Sequence, residues 1–254
     1  MRTLLAPQAS LMHTASTSIR TELIDGRLRI LTTAGLLRPM QLSTSGAHAQ
    51  VALVATGSLL HPGDEVNLEV AVGAGTSLDV IEPAGTVAYS GGPSAWHVRI
   101  ILQDKANLVW HGEPFVVAHG AEVDRSTTIT LGSDARCLLR ETLVLGRTGE
   151  SPGHVRSRTR ATDPAGPLLV EDMDLGPSAQ SPGILGQNRI LDTVLDLAGA
   201  SVGVVGRPPG ATLGDARAVR MVLERGGTVH RSLASDLHLS DLAQTVMSSM
   251  TSRL

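Results

Sequence analysis

Aromatic side chains are nearly missing from this sequence: two tryptophans, one tyrosine and one phenylalanine in 254 residues. A chain this long buries a real core, so that core must be built from Val, Leu, Ile and Ala. Cys137 is the only cysteine, which excludes an intrachain disulfide and a thiolate zinc cage and fits a reducing compartment. Lys105 is the only lysine, which removes Schiff-base, P-loop and lysine-base chemistry everywhere else. Its neighbours Asp104, Ala106 and Asn107 read as a turn, where a solvated charge is the ordinary state of a lysine. No apolar run approaches the ~20 residues that span a bilayer. Near the N-terminus, Pro7 and Gln8 interrupt Leu4-Leu5-Ala6 before a signal-peptide core can build. The expected location is the cytoplasm, with no membrane partner. A formal charge of −3 leaves no basic field to recruit nucleic acid.

What the sequence has in quantity is short apolar runs separated by turn residues, the rhythm of an all-β domain. Val66, Leu68, Val70 and Val72 alternate with Glu65, Asn67, Glu69 and Ala71, the period of a strand with one buried face. His61-Pro62-Gly63-Asp64 precedes this run and Gly73-Ala74-Gly75 follows it, both of them turn chemistry. The pattern resumes at Leu78 and Val80, at Val98 to Leu102, at Leu108 to Val117, at Thr127 to Leu131 and at Cys137 to Leu145. No capped helix is expected between residues 50 and 148.

Residues 17 to 56 also read as strands, with a turn near Asp25-Gly26 and a break at Arg38-Pro39. Residues 149 to 187 read as loop with one or two strands around Leu168-Leu169-Val170. Ile190, Leu191, Val194, Leu195, Leu197 and Ala198 fall at helical spacing, which leaves helix and strand both open for residues 188 to 199. Val202 to Val205 reads as a strand, and Arg225-Gly226-Gly227 as the turn of a hairpin. A final helix, capped by Asp236 or Ser240, is expected to place Leu239, Leu242, Ala243, Val246 and Met250 on one face. The expected architecture is one domain over residues 1 to 254: two packed layers of mostly antiparallel sheet over about 17–235, then a helix over about 237–253. No internal repeat at a fixed period is visible.

Several blocks, in order, carry a family resemblance. The run from Gly63-Asp64 through the alternating strand to Gly73-Ala74-Gly75-Thr76 is similar to the signature of the UreD (UreH) family of urease maturation factors. Thr86-Val87-Ala88-Tyr89 stands where the family has a Lys-Val-Tyr-type sequence, with the lysine absent. Ala106 to Phe115 resembles a family strand and turn with Trp110 retained. Gly120-Ala121-Glu122, Leu131 to Arg136 and Arg140 to Arg147 complete the series, followed by Gly149-Glu150. The resemblance is close over roughly residues 20 to 180 and loose in the C-terminal third. It implies a non-enzymatic scaffold that docks with UreF, through it with the GTPase UreG, and with apo-urease, in a hetero-oligomer. It further implies an internal passage for nickel in transit, with no tightly bound cofactor.

The residues by themselves point the same way. Nine histidines are scattered singly, so no knuckle or helix-face pair offers a strong metal cage. His111 and His119 are the closest such pair in the β region and could face one another across a hairpin. Asp64, Glu113 and Glu141 are the transit or docking candidates, each at or beside a strand end in a family-like block. The plainer alternatives are that Asp64 closes a turn and that Glu141 pairs with Arg140 or Arg147. Trp110, Tyr89 and Arg147 are candidate partner contacts, against the plainer reading that the aromatics fill the core. Two rival functions stay open: a hydrolase using Glu141 with Asp134 or Glu113, and a stand-alone ligand-binding module. No Gly-x-Ser-x-Gly, His-Glu-x-x-His or P-loop signature supports the enzyme.

Overall fold

Along Glu65–Val72 the side chains alternate between fully buried and half-buried, and this period recurs through most of the chain. The computed structural model describes residues 14–199, 218–240 and 242–251. Its strands are β1 (Thr14–Ile24), β2 (Arg27–Thr33), β3 (Leu37–Ser45), β4 (His48–Ala55), β5 (Glu65–Val72), β6 (Ser77–Ile81), β7 (Thr86–Ala88) and β8 (Pro93–Leu102). They continue with β9 (Asn107–Val117), β10 (Glu122–Leu131), β11 (Arg136–Leu145), β12 (His154–Asp163), β13 (Gly166–Leu175), β14 (Ile190–Ala198), β15 (Ala218–Val222) and β16 (Gly227–Ala234). One α-helix, α1 (Leu242–Thr251), follows. The all-β, two-sheet architecture expected from the sequence is what the structure has.

One sheet has the order β13-β12-β10-β8-β5-β1-β2 and the other β15-β16-β14-β11-β9-β6-β4-β3, with β7 also paired to β9. From β5 to β12 the chain crosses from sheet to sheet at nearly every strand. Neighbours within a sheet are therefore one full coil apart in sequence and run in the same direction. Among the described residues, eight strand pairings are parallel and six are antiparallel. The expectation of mostly antiparallel sheet is thus corrected: the middle of the protein is a two-sheeted solenoid. Antiparallel hairpins cap it at both ends, β1–β2 and β3–β4 at one and β12–β13 and β15–β16 at the other. Such caps shield the coil ends, as terminal repeats do in other solenoids. The repeat escapes detection because its period is uneven. Glu65, Ala95, Asp124 and Arg156 occupy equivalent positions in successive coils, at steps of 30, 29 and 32 residues.

Ile190–Ala198 is a strand and not a helix. Leu191, Leu195 and Leu197 face the core between the sheets, while Ile190 and Val194 face small apolar clusters on the other side. Burial of both faces erases the alternation that would identify a strand. Pro39 lies within β3 and does not break it; β3 is an edge strand, where a missing N–H costs no ladder bond. The Asp25-Gly26 turn, with φ of 52° and 72°, and the β15–β16 hairpin are as expected. Val202 to Val205 lies outside the described residues.

Helix α1 packs on the outer face of the second sheet, against β9, β11 and β14. Leu242 and Val246 are fully buried there with Val109 and Val194, each side chain contributing about 2 kcal/mol. Neither expected cap operates. Asp236 precedes a separate 3-10 turn, Leu237–Leu239, without a side-chain capping bond, and the Ser240 hydroxyl donates to Asp192.

Candidate functional site between the sheets

Inward-pointing residues stack in rows across the coils. The row Ile19, Val70, Ile100, Ile129, Ala161 is apolar throughout. Two neighbouring rows change character part-way. Leu68 and Val98 give way to Thr127 and Thr159, and Val66 and Trp96 give way to Arg125 and Ser157. From the facing sheet, β11 sends Glu141 into the same space between Leu139 and Leu143. A polar seam therefore opens inside a mostly apolar core.

Its centre is an ion pair. Arg125 Nη2 donates to Glu141 Oε1 at 2.8 Å, and Thr127 Oγ1 donates to the same oxygen at 2.8 Å. The Arg125 guanidinium also lies 5.4 Å from the centre of the Phe115 ring. Beside it, Glu82 accepts hydrogen bonds from Trp110 Nε1 at 2.9 Å and from the Glu113 backbone N–H at 3.1 Å. Burial pushes the Glu82 carboxyl up to about 7, against the opposing pull of those two hydrogen bonds and of Arg125. The Glu113 carboxylate lies 3.7 Å from His111 Nδ1. Burial, followed by the Arg140 charge, holds His111 below its usual range. Cys137 sits on the inner face of β11, and burial raises its thiol so far that it is no thiolate ligand.

A β-bulge shapes this corner. Arg140 pairs with His111 and Thr142 with Pro114, so Gly112 and Glu113 together oppose Glu141. A Cβ on Gly112 would lie 2.4 Å from the Arg140 carbonyl oxygen. Gly112→Ala should therefore force the bulge apart and cost about 1 to 2 kcal/mol. Urea denaturation measures this, and a neutral result would mean that the two strands part without strain.

Two small cavities flank the ion pair. The first, lined by Glu82, Trp110, Glu113 and Phe115 among others, has about 20 Å³ open to the centre of a water molecule. The second, lined by Ser157, Thr159, Glu171, Thr193 and Arg231 among others, has about 10 Å³. Each has room for little more than one water. Arg125 and Glu141 line both, and no other residue does. In the second cavity Arg231 holds both oxygens of Glu171 at 2.8 Å.

Of the residues singled out from the sequence, Trp110, Glu113 and Glu141 come together here. Trp110 is 3% exposed, so it offers no surface to a partner in this fold. Glu141 pairs with neither Arg140 nor Arg147. Arg140 points to the opposite face of the sheet and binds Asp192, while Arg147 pairs with Glu150 at 3.6 Å. Asp64, Tyr89 and Arg147 gather elsewhere, in a surface cluster linked through His61. Asp64 Oδ2 accepts the His61 backbone N–H, His61 stacks on Tyr89 at 4.9 Å, and the Arg147 guanidinium lies 5.3 Å from the Tyr89 ring centre. His111 and His119 do not face one another: His111 is buried within β9, and His119 is exposed in the turn beyond it. Asp134 lies in the turn between β10 and β11, before the strand that carries Glu141. Among the described residues, no group of three or more His, Cys, Asp or Glu is arranged to hold a metal ion.

Glu82, Arg125 and Thr127 were not singled out from the sequence, although strand parity points to them. Glu82 continues the inward series Leu78, Val80, and Arg125 and Thr127 lie in the inward series Val123 to Leu131. A charge at a core-facing position is the signal that was available.

The family described as UreD urease accessory protein matches residues 14–250. The chain belongs to the UreD family. The match extends past the close resemblance over residues 20 to 180 and takes in β14 to β16 and nearly all of α1. Similar proteins carry the same name. Urease accessory protein UreD 1 of Streptomyces griseus subsp. griseus is 47% identical over 186 residues, 72% of this chain and 70% of that protein. UreD 2 of Saccharopolyspora erythraea is 31% identical over 202 residues, 76% and 71% of the two chains. UreD of Parafrankia sp. is 33% identical over 251 residues, 87% and 83%. This UreD-family chain thus has an accessory role toward urease. Within its described residues, no helix is long and apolar enough to cross a membrane.

Proposed function

We propose that this protein is a cytoplasmic, non-catalytic scaffold that binds UreF and, through it, UreG, together with apo-urease, and that nickel passes through its interior on the way to the urease active site. The family match carries this reading. Support of a different kind comes from the polar seam, where Glu82, Glu113, Glu141 and Glu171 line two cavities that meet at one ion pair. Isolated carboxylates hold a nickel ion less tightly than a closed nitrogen and sulfur cage and release it more readily, which suits transit over storage. A hydrolase built on Glu113 and Glu141 fits less well, because Glu141 is held by Arg125 and the adjoining space takes about one water, not a glycoside.

Deleting the gene is expected to leave urease protein at its usual abundance but poor in nickel and activity. Metal analysis of purified urease reads this, and full nickel loading without the gene would reject the proposal. A pulldown that recovers neither UreF nor UreG would favour a stand-alone module.

A further inference from the structure

The two cavities meet at a single pair of side chains, and the guanidinium of that pair is loosely held. Arg140 makes three hydrogen bonds, to both oxygens of Asp192 and to the Gly112 carbonyl. Arg231 likewise uses all three nitrogens, on Thr193 and Glu171. Arg125 is 7% exposed, yet it bonds Glu141 through Nη2 alone, and its Nε finds no partner among the described residues. A buried guanidinium with an unmade hydrogen bond is a costly arrangement, and such groups call for an explanation. The pairing also cancels the charge of Glu141 for any cation that enters either cavity, and a divalent ion beside a paired guanidinium is repelled.

We propose that Arg125 is a gate: its guanidinium occupies the place of a cation on Glu141, and a divalent ion crosses between the cavities only by exchanging for it. This rests on the passage proposed above and adds its regulation. The exchange never leaves Glu141 without a positive partner inside the core. The Phe115 ring gives the displaced guanidinium a face to slide along, and Thr127 keeps Glu141 in place meanwhile.

The test is nickel binding to the purified full chain, titrated with the metal ion alone by calorimetry. Arg125→Gln keeps a donor for Glu141 but not the charge, and should bind nickel about tenfold more tightly than the parent, the effect of one like charge removed from a buried carboxylate site. Arg125→Lys keeps the charge and should not. Adding Glu141→Gln to Arg125→Gln should abolish the gain. Should Arg125→Gln lose the parent's circular dichroism, Arg125→Met is read in its place. Unchanged affinity in a folded neutral variant overturns the gate. So does failure of both neutral variants to fold, since a gate must leave Glu141 without loss of the fold. Ser157→Leu fills the second cavity and tests the passage itself, in urease activation with all partners present. Activation unchanged by Ser157→Leu overturns the passage. Activation lost there, with nickel affinity unchanged in Arg125→Gln, overturns the gate alone.

Discussion

Asp192→Ala is expected to lower the free energy of unfolding by about 3 to 5 kcal/mol, the cost of removing one partner of a buried ion pair. Asp192 is fully buried and accepts from Arg140 Nε at 3.0 Å, Arg140 Nη2 at 3.1 Å, Thr142 Oγ1 at 2.7 Å and Ser240 Oγ at 2.7 Å. Without the carboxylate, Arg140 keeps its charge at 4% exposure with only the Gly112 carbonyl, 3.3 Å away, to satisfy it. The loss also unties Ser240, which fastens the start of α1 to the sheet. Urea unfolding followed by the fluorescence of buried Trp96 and Trp110 measures the total. Hydrogen exchange should show the α1 amides opening earlier than those of β11. A change below about 1 kcal/mol would mean that the network carries little of the stability assigned to it.

Stability should also fall, by about 2 kcal/mol through Glu82 alone, as pH rises from about 5 to about 8. The folded-state value near 7 stands above the ordinary value of 4.5, so the folded chain holds a proton that the unfolded chain has released. The stabilisation is complete below about 4.5 and is lost as pH rises through about 7. The full shift would be worth about 3 kcal/mol, but the side chain is only half-buried and water screens part of it. His111 works in the opposite sense, because its lowered value makes acid destabilising. The diagnostic is therefore the difference between Glu82→Gln and the parent. The variant gives up one of two accepted hydrogen bonds at every pH, and it should gain on the parent steadily between pH 5 and 8. Parallel stability curves would show that Glu82 titrates normally.

Most of the strands are legible in the sequence because each has one buried face and turn residues at its ends, as in Glu65–Val72. Their direction is not. An alternating run bounded by glycine reads the same whether the next strand returns beside it or crosses to the facing sheet. The uneven 30, 29 and 32-residue coils conceal the crossing. Ile190–Ala198 misleads for a separate reason: apolar contacts on both faces of a strand produce a run that matches helical spacing. At the site, Glu113, Glu141 and Trp110 stood out because they lie in family-like blocks. The partner of Glu141, Arg125, sits on the preceding strand in the facing sheet, 16 residues away, and chain distance alone gives no reason to join the two. Asp192, 52 residues beyond Arg140, is more remote still.

The coiled arrangement fixes an order of assembly. The β1–β2 and β3–β4 hairpins need only short turns to close, and each contributes a strand, β1 or β4, onto which the first coil can lay its hydrogen bonds. Each later parallel ladder must close a loop of about 30 residues before any bond rewards it, which slows the search. A chain leaving the ribosome N-terminus first has its template ready when β5 and β6 emerge, whereas refolding from denaturant must find that template among all the others.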